Sequence, residues 1–423
     1  MLDLRLIRRD PETVRSALAR RGPDAVQRLD RVVDLDTRWR DATQAAEALR
    51  AEQKTASEEV AAGKREGRDV SGTLEHLKVL SGEVKSRGEQ AREAETELQD
   101  LLRTLPNLPA PTAAEPEDEV LRVVGEASRR PSGRDHLELA GERIDMERGA
   151  RLSGARFPIL RGDLVMLELA LVQWVLTKLR GHGFEPVIPP VLVREHALYG
   201  TGMLPDTEQQ IYQLPDDDLY LVGTSEVALA SMHAGEILDA GELPVRYAGF
   251  SPCFRREAGA AGKDTRGIFR VHQFDKVEMF SFVAPQDSEE EHERLLAIEE
   301  EIFGELDVPY RVVNIAVDDL GASAAKKYDI EAWLPGQGRY REVTSTSNTT
   351  DFQARRLEIR MRASAGASVR PVTLHTLNGT AIAVSRTLIA LLENGQREDG
   401  SIALPAVLGP YGAPAELSSA GGS

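Results

Sequence analysis

Cysteine is almost absent from this sequence: Cys253 is the only one among 423 residues. An intrachain disulfide is therefore excluded, and so is a zinc site built from several cysteines, which indicates a reducing compartment. No apolar run of about 18 residues occurs, and charges interrupt the apolar residues of the N-terminus, so it lacks a signal-peptide core. We therefore predict a cytoplasmic protein that binds no zinc and crosses no membrane.

Positive charge is also scarce. The chain has 52 Lys and Arg against 69 Asp and Glu, a formal net charge of −17, which argues against DNA or an anionic membrane as a partner. A different nucleic acid is not excluded, because phosphate contacts depend on local basic patches. Hydrophobic residues make up 41% and charged residues 29%, which is typical of a globular protein of two or three domains.

Two stretches near the N-terminus repeat apolar residues at alternating spacings of three and four. They run from Val32 to Val60 and from Val70 to Leu105, and the polar segment AAGKREGRD (61–69) separates them. This spacing is typical of a coiled-coil seam, so we predict two antiparallel helices, each roughly 40–55 Å long. Such a hairpin has too little core for an enzyme and is predicted to be an arm that reaches a partner.

The turn of this arm and its adjoining stem are slightly basic. Residues 60–87 contain six Lys and Arg against four Asp and Glu, an excess of +2. The excess fits two interpretations equally well: a solvated coiled-coil surface, or contacts with the phosphates of a nucleic acid. The basic residues nearest the turn are Lys64, Arg65 and Arg68.

The predicted N-terminal domain therefore covers residues 1–105. The proline-rich segment PNLPAPTAAEPEDEV predicts a stiff linker over 106–119, and the composition then stays even over a body of 120–412. Small residues predict a flexible tail over 413–423. Helices are predicted in the body at 163–183, 287–305 and 379–394. Strand-like runs separated by turn residues lie between them, so the predicted fold class is α+β, an antiparallel sheet flanked by helices.

The stretch FRREAGAAGKDTRGIFRVHQF concentrates five basic side chains around two acidic ones. If CFRRE is a strand, Arg255 and Glu257 share one face, and in HQFDKVEMF so do Phe274, Lys276 and Glu278. An arginine fork suits a phosphate, a carboxylate accepts hydrogen bonds from an amine, and an aromatic ring stacks on a base. Each pair alone would be an ordinary cross-strand pair, but the combination predicts a nucleotide site.

Two other segments carry weaker signals. The segment GTSEVALA opens a helix, and by themselves Thr224, Ser225 and Glu226 predict no more than a helix N-cap. The segment LNGTAIAVSRTLIALLENGQ passes from a strand into an apolar helix whose first charged residue is Arg386. That arginine is either buried against a partner or directed at an anion, and the sequence favours neither alternative.

Taken together, these motifs resemble the seryl-tRNA synthetases, a family of class II aminoacyl-tRNA synthetases, over nearly the whole chain. The matching segments are HLELAGERIDMERGARLSGARF, TGMLP, TSE, FRREAG with TRGIFRVHQFDKVEMF, YDIEAWLP, REVTSTSNTTDFQARR and HTLNGTAIAVSRT. The resemblance implies that serine and ATP give seryl-adenylate and pyrophosphate, and that serine then passes to the 3′ end of tRNA-Ser, with tRNA-Sec as a further candidate. It also implies Mg²⁺ with ATP and a homodimer with GFEPVIPPVL (183–192) in the interface.

The resemblance also implies roles for individual residues, with Arg255 and Arg386 as the catalytic pair. ATP would be bound by Arg255, Arg256, Glu257, Val271, Phe274, Glu342, Val343, Thr344, Ser345 and Arg386. Serine would be bound by Thr224, Ser225, Glu226, Arg255, Glu278 and Thr380. Glu342 and Ser345 would hold Mg²⁺. The tRNA would contact Lys64, Arg65, Arg68, Lys263 and Arg266.

The sequence departs from the family pattern at Ala381 and Ser385, where glycine is more usual and where the ATP tail is expected to lie. This departure leaves open an antibiotic-tolerant second copy. Another alternative is a paralogue that activates serine or another small amino acid for a carrier protein or a biosynthetic amine, but the long arm argues against it. A binding protein without activity is disfavoured, because Arg255, Glu278 and Arg386 are all present.

Overall fold

The computed structural model describes residues 1–127, 133–205, 210–258, 264, 266–362 and 370–419. It divides the chain into two compact units, Met1–Leu108 and Pro109–Ser423. Of the helices in these described ranges, none combines the length and the apolar composition needed to cross a bilayer.

The first unit is helical. Its helices are α1 (Leu4–Arg9), α2 (Pro11–Ala19), α3 (Pro23–Arg65) and α4 (Ser71–Thr104). The predicted pair of long helices is confirmed by α3 and α4, which run antiparallel: Arg28 Nη1 donates to the carbonyl of Thr104 over 2.8 Å, and His76 lies 3.1 Å from Glu52 nearer the turn. Helix α3 has 43 residues and is roughly 65 Å long, longer than predicted because it begins at Pro23.

The apolar seam is closed at its base by the two short helices. Leu29, Val32 and Leu35 of α3 pack against Leu98 and Leu102 of α4 and against buried residues of α1 and α2. The contacts of Leu98 leave it fully buried. The base of the hairpin is therefore a small core of its own, which the isolated coiled-coil pattern did not predict.

The second unit is a mixed α+β structure. Its strands are β1 (Glu119–Val124), β2 (Ile144–Asp145), β3 (Ile159–Leu160), β4 (Glu185–Val187), β5 (Leu192–Val193), β6 (Gln213–Leu214), β7 (Leu219–Leu221), β8 (Ile237–Asp239), β9 (Val245–Phe254), β10 (Gln273–Val283), β11 (Tyr310–Asn314), β12 (Lys326–Leu334), β13 (Arg339–Thr350), β14 (Arg360–Arg362), β15 (Val372–Thr373), β16 (His375–Ala383), β17 (Ile402–Ala403) and β18 (Glu416–Leu417). Its helices are α5 (His136–Ala140), α6 (Met146–Ser153), α7 (Asp163–Gly181), α8 (Glu195–Thr201), α9 (Glu226–Ser231), α10 (Ser288–Glu305), α11 (Phe352–Arg356) and α12 (Val384–Asn394).

The largest sheet of the described residues has eight strands in the order β1-β11-β12-β13-β16-β10-β9-β4. Neighbouring strands pair antiparallel except β4 with β9, which is parallel. Helices α7, α10 and α12 share one apolar core with this sheet, through residues such as Leu171, Leu295 and Leu388. The predicted fold class, an antiparallel sheet flanked by helices, is confirmed.

The structure differs from the sequence predictions in one helix of the body and in the C-terminal tail. The helix predicted at 379–394 begins only at Val384, because residues 375–383 form β16 and pair with both β10 and β13. The tail predicted as flexible is paired over part of its length: β18 binds β17, and Leu417 is fully buried. The buried Leu417 and the pairing of β18 with β17 hold this segment in place. The small residues of the segment did not predict this pairing.

The predicted linker also differs from expectation. The division between the two units falls inside it, at Leu108 and Pro109. Beyond this point the chain is bound to the second unit: the N–H of Ala110 donates to the carbonyl of Ala325 over 2.8 Å, and Ala114 bridges to Ala316. Only the first few residues of the predicted linker therefore lie outside the second unit.

Candidate active site

A cavity of about 380 Å³ lies on the large sheet, lined by β10, β13, β16, α12 and the residues that follow β9. Most of the predicted site residues line it: Thr224, Glu226, Arg255, Glu257, Val271, Phe274, Glu278, Glu342, Val343, Thr344, Ser345, Thr380 and Arg386. The structure thus brings the predicted ATP-binding and serine-binding sets into one space.

Strand β10 directs alternate side chains into the cavity. Phe274, Lys276 and Glu278 all line it, as a two-residue period requires. Lys276 and Glu278 are 5% and 0% exposed, because β10 lies between two neighbouring strands. Lys276 forms an ion pair with Glu278, and its Nζ donates to Thr224 Oγ1 over 2.7 Å. A buried ion pair therefore lies in the wall of the cavity.

Strand β13 reaches the cavity through a β-bulge. Ile330 and Glu331 are adjacent on β12, whereas their partners on β13, Thr344 and Glu342, are two residues apart. A bulge shifts the alternation of all later side chains. Glu342 and Ser345 consequently both line the cavity, although regular alternation would place them on opposite faces of the sheet.

A second bulge lies in β16, where Ala381 has no partner on β10. Thr380 and Ala383 line the cavity on either side of it, whereas Ala381 and Ile382 are fully buried in the apolar core. Ala381, which we expected near the ATP tail, is not among the residues that line the cavity, because the bulge turns its side chain to the core. Ser385, the other departure from the family pattern, does line the cavity.

Arg255 and Glu257 reach the cavity by a different route from the one predicted. Strand β9 ends before Arg255, and Glu257 has a φ of 50°, so strand alternation does not place them. Glu257 is held by Arg270, whose Nη1 donates to its Oε2 over 2.6 Å. Arg255 Nε donates to the carbonyl of Gly223 over 3.2 Å, and its guanidinium lies 5.3 Å from the centroid of the Phe274 ring. Side-chain contacts, rather than a strand, position this part of the site.

Two residues predicted to bind ATP or serine are not among those that line the cavity. Arg256 is exposed next to Arg255. Ser225 is fully buried, with its hydroxyl 3.4 Å from the carbonyl of Gly249. Each is the sequence neighbour of a residue that does line the cavity. Arg266, predicted to contact tRNA, is exposed and forms an ion pair of 2.8 Å with Asp135.

Glu226 is buried beside Glu278 at one part of the cavity. Burial raises the pKa of Glu226 to about 7, and the charge of Glu278 acts in the same direction. Its two oxygens accept hydrogen bonds from Gln353 at 2.7 Å and from Asn378 at 3.3 Å, and Asn378 also donates to Glu278 at 3.0 Å. Thr380 Oγ1 lies 3.4 Å from Glu278. Two buried acids linked by one amide form a group suited to a small ammonium ion.

Glu342 and Arg386 form the charged pair at another part of the cavity. Arg386 Nη1 lies 3.1 Å from Glu342 Oε1 and donates to its backbone carbonyl, also over 3.1 Å. Burial opposes the ionisation of Glu342, but Arg386, Lys327 and Arg255 outweigh it and lower its pKa. Glu342 is therefore ionised at neutral pH. Arg386 combines the two alternatives left open by the sequence, because it lines the cavity and is also paired with Glu342.

Sequence reasoning missed several residues of the cavity. Phe269 contacts two guanidinium groups: its ring centroid lies 3.8 Å from that of Arg341 and 4.8 Å from that of Arg386. Lys276 was placed on the correct face but given no role, and Asn378 was not considered. Phe269 could not be found from spacing, because it lies outside the strands. The sequence signal available was an aromatic residue directly before Arg270, inside the basic stretch.

The candidate residues of the arm lie at its turn. Lys64, Arg65 and Arg68 are exposed there, and Arg68 pairs with Glu66 at 2.8 Å. The exposure of these side chains is compatible with both interpretations: contact with the phosphates of a nucleic acid, or a coiled-coil surface that only water contacts. The remaining candidate for this role, Lys263, lies outside the described residues.

Comparison with known proteins relates both units to one family. Residues 1–109 match the model of the seryl-tRNA synthetase N-terminal domain, and residues 210–395 match the class II tRNA synthetase core domain of the Gly, His, Pro, Ser and Thr enzymes. A serine–tRNA ligase of Thermobifida fusca is 51% identical over 97% of both chains, and one of Streptomyces coelicolor is 50% identical over 97% of both.

A solved structure supports the same relationship. The seryl-tRNA synthetase of Pyrococcus horikoshii, solved as a complex with ATP, superposes with a TM-score of 0.93. It is 42% identical, and the match covers 99% of this chain and 100% of that one. With an arm, a sheet and a cavity of the kind described above, the chain belongs to the seryl-tRNA synthetase family of class II aminoacyl-tRNA synthetases.

Proposed function

We propose that the chain is a serine–tRNA ligase, which activates L-serine with ATP and transfers the seryl group to the 3′ end of tRNA-Ser. The observation that carries this proposal is the single cavity that combines Arg255 and Arg386 with the buried acids Glu226 and Glu278. Cationic forks suit a triphosphate, and buried carboxylates suit an amino group. The full-length similarity to serine–tRNA ligases supports the same function.

The chemistry needs no nucleophile from the protein. An oxygen of the serine carboxylate attacks the α-phosphorus of ATP, a bond to the β-phosphate oxygen breaks, and pyrophosphate leaves with the electron pair. The protein contributes positioning and stabilisation of the developing negative charge. We assign the α-phosphate and the serine carboxylate to Arg255, which lies against the ring of Phe274.

The nucleotide would be bound by groups around this arginine. Phe274 offers a ring face to adenine, and Glu257 offers an oxygen to the adenine amine while Arg270 holds its other oxygen. Val271, Val343 and Thr344 supply neighbouring walls. Arg386, paired with Glu342, would bind the γ-phosphate. The ion pair with Arg270 orients the carboxylate of Glu257 before the nucleotide binds.

Mg²⁺ fits this cavity as a partner of ATP. Among the described residues, no group of three or more His, Cys, Asp and Glu side chains is arranged to hold a metal ion. Mg²⁺ does not need such a group, because it is usually bound by one or two carboxylates together with phosphates and water. Glu342 and Ser345 present a carboxylate and a hydroxyl to the same cavity and would hold it. When bound, the ion would neutralise charge on the phosphates.

Serine would be recognised by Thr224, Glu226, Glu278 and Thr380. The carboxylates face its ammonium group, and the hydroxyl-bearing residues face its hydroxyl. A site built to bond a hydroxyl rejects an analogue that lacks it by roughly 10⁴-fold, so alanine is excluded without a separate editing site. We further propose that the enzyme acts in the cytoplasm, and tRNA-Sec remains a second candidate acceptor.

The alternative is activation of an amino acid for a carrier protein or a biosynthetic amine. Such an enzyme would keep the cavity but would have no use for the arm. The N-terminal unit matches the seryl-tRNA synthetase N-terminal domain over its whole length, which favours the tRNA ligase. Lys64, Arg65 and Arg68 at the turn would then contact the tRNA backbone.

Shortening the arm separates these two functions. Replacing residues 44–92 by a short glycine-serine turn retains the base core around Leu35 and Leu98. We expect serine-dependent ATP–pyrophosphate exchange within about threefold of the intact enzyme, and charging of tRNA-Ser reduced by orders of magnitude, since phosphate contacts dominate such binding.

A triple variant with the full-length arm, Lys64→Gln with Arg65→Gln and Arg68→Gln, should retain pyrophosphate exchange. Its charging of tRNA-Ser should depend less on the salt concentration than that of the unmodified enzyme. If the shortened enzyme charges tRNA normally, the arm has no role in tRNA binding. If the intact enzyme shows no serine-dependent exchange at all, the proposed function itself is wrong.

Arg255→Ala and Phe274→Ala should differ in the kinetic constant they change. Arg255 faces charge that develops in the transition state, so its loss should lower kcat for exchange by about 10²–10³. Phe274 binds adenine equally in both states, so its loss should mainly raise the KM for ATP, by roughly tenfold. Arg397→Ala, an exposed arginine paired with Glu416, is the control. Equal losses of kcat from Arg255→Ala and Phe274→Ala would refute the assignment.

The affinity for serine should depend on pH through Glu226. Its raised pKa, about 7, means that the carboxylate takes up a proton as the pH falls through neutrality. Only the ionised form attracts the serine ammonium, so the KM for serine should rise about tenfold between pH 8 and pH 6, the ratio of the ionised fractions. Glu226→Gln should have a higher KM that no longer changes over this range. A pH-independent KM in the unmodified enzyme would contradict this role.

A homodimer is proposed on the apolar surface around β4. Strand β4 is an edge of the large sheet, Ile188 beside it is 81% exposed, and Met166 and Leu169 of α7 are also exposed. An exposed apolar cluster of this kind normally marks a surface that another protein chain covers. We expect a dimer in light scattering at micromolar concentration, and a monomer for Leu169→Glu with Ile188→Lys. Val79→Lys, on an exposed valine of the arm, should stay dimeric. A monomeric unmodified enzyme with full activity would refute the proposal.

A further inference from the structure

His136, the first residue of α5, is a buried histidine outside the cavity. Its side chain is 5% exposed, and its ring bonds two separate parts of the second unit. Nε2 accepts a hydrogen bond from the backbone N–H of Ile268 at 3.2 Å, and Nδ1 lies 3.2 Å from Glu393 Oε1. A backbone N–H can only donate, so Nε2 carries no proton and Nδ1–H donates to Glu393.

Glu393 is fully buried on α12 and has further donors. The backbone N–H of His136 also donates to Oε1, at 3.2 Å, and the N–H of Gly336 donates to Oε2 at 2.9 Å. A buried carboxylate is tolerated when donors satisfy both oxygens. Glu393 lies seven residues after Arg386, two turns along the same face of α12. The histidine is thereby connected to the helix that carries a cavity arginine.

The other side of the ring holds the chain just before Phe269. Gly267 has a φ of 81°, and a Cβ there would lie 2.1 Å from His136 Nε2, so only glycine allows this approach. Arg266 is bound to the same helix through Asp135 at 2.8 Å. The segment 266–268 therefore lies directly against α5.

Phe269 and Arg270 follow this anchored segment without a break. The ring of Phe269 contacts the guanidinium groups of Arg341 and Arg386, and Arg270 holds Glu257. Both line the cavity. Because stacking of this kind depends on the ring position, a shift of Ile268 would move Phe269 away from Arg386.

We propose that His136 is a positioning residue for ATP: its neutral ring joins Ile268 to Glu393 and so holds Phe269 and Arg386 in the geometry that binds the triphosphate. The role of ATP rests on the proposed function. None of the residues assigned to serine touches this ring, so the effect is confined to the nucleotide.

The test uses the purified full-length chain and measures ATP affinity directly, by calorimetry, beside the KM values for ATP and serine in pyrophosphate exchange. His136→Leu removes both ring bonds and should raise the Kd and KM for ATP about tenfold or more, with the KM for serine within about twofold. His136→Asn can donate to Glu393 but does not reach Ile268, and should behave like His136→Leu. His136→Gln places an acceptor near the Ile268 N–H and should restore ATP affinity to within about threefold.

A matched variant separates positioning from loss of stability. Leu139→Ala removes a fully buried side chain from the same helix and should lower the melting temperature without changing the affinity for ATP. If Leu139→Ala raises the Kd for ATP as much as His136→Leu at an equal loss of melting temperature, the proposal is overturned. It is also overturned if His136→Leu changes both substrate constants equally, or neither.

ATP binding without serine-dependent exchange would instead refute the proposed function and leave this test intact.

Discussion

The cavity depends on a cation and an anion buried together in the middle of the sheet. Lys276 and Glu278 are side by side on β10, nearly without exposure, and Lys276 also binds Thr224. Removing one member of such a pair leaves a buried charge uncompensated, which typically costs about 3–5 kcal/mol. The pair therefore constrains what lies around it: burial and the charge of Glu278 raise the pKa of Glu226, and the charge of Lys276 offsets only part of that rise.

A related constraint acts between β13 and α10. Asn348 donates to the carbonyl of Ser288, the backbone carbonyl of Thr346 accepts a hydrogen bond from His292, and Thr344 Oγ1 donates to Glu299. Burial lowers the pKa of His292 to about 4, so its ring is neutral near pH 7, and burial also raises the pKa of Glu299 well above its usual value. Because hydrogen bonds are directional, they restrict the position of β13 relative to α10 more than apolar packing would.

The consequence appears in the cavity. Once Thr344 is bound to α10, the bulge before it turns Glu342 toward the cavity beside Ser345. Arg386 of α12 then meets Glu342, and Phe269 packs on Arg386. Groups that contact ATP in our proposal are therefore supported from three directions: from α10 beneath the sheet, from α12, and from α5 through His136 and Ile268.

The sequence by itself determined the elements whose side chains repeat with a period. The heptad spacing predicted the long helix pair, and the two-residue period of β10 placed Phe274, Lys276 and Glu278 on one face, because both patterns depend only on local backbone geometry. The motifs also indicated the family. Only the tertiary structure decided which neighbours of these residues reach the cavity. The bulges at Val343 and Ala381, the left-handed backbone of Glu257 and the bonds of His136 to Ile268 and Glu393 all depend on partners far away in the chain, so no local spacing could predict them.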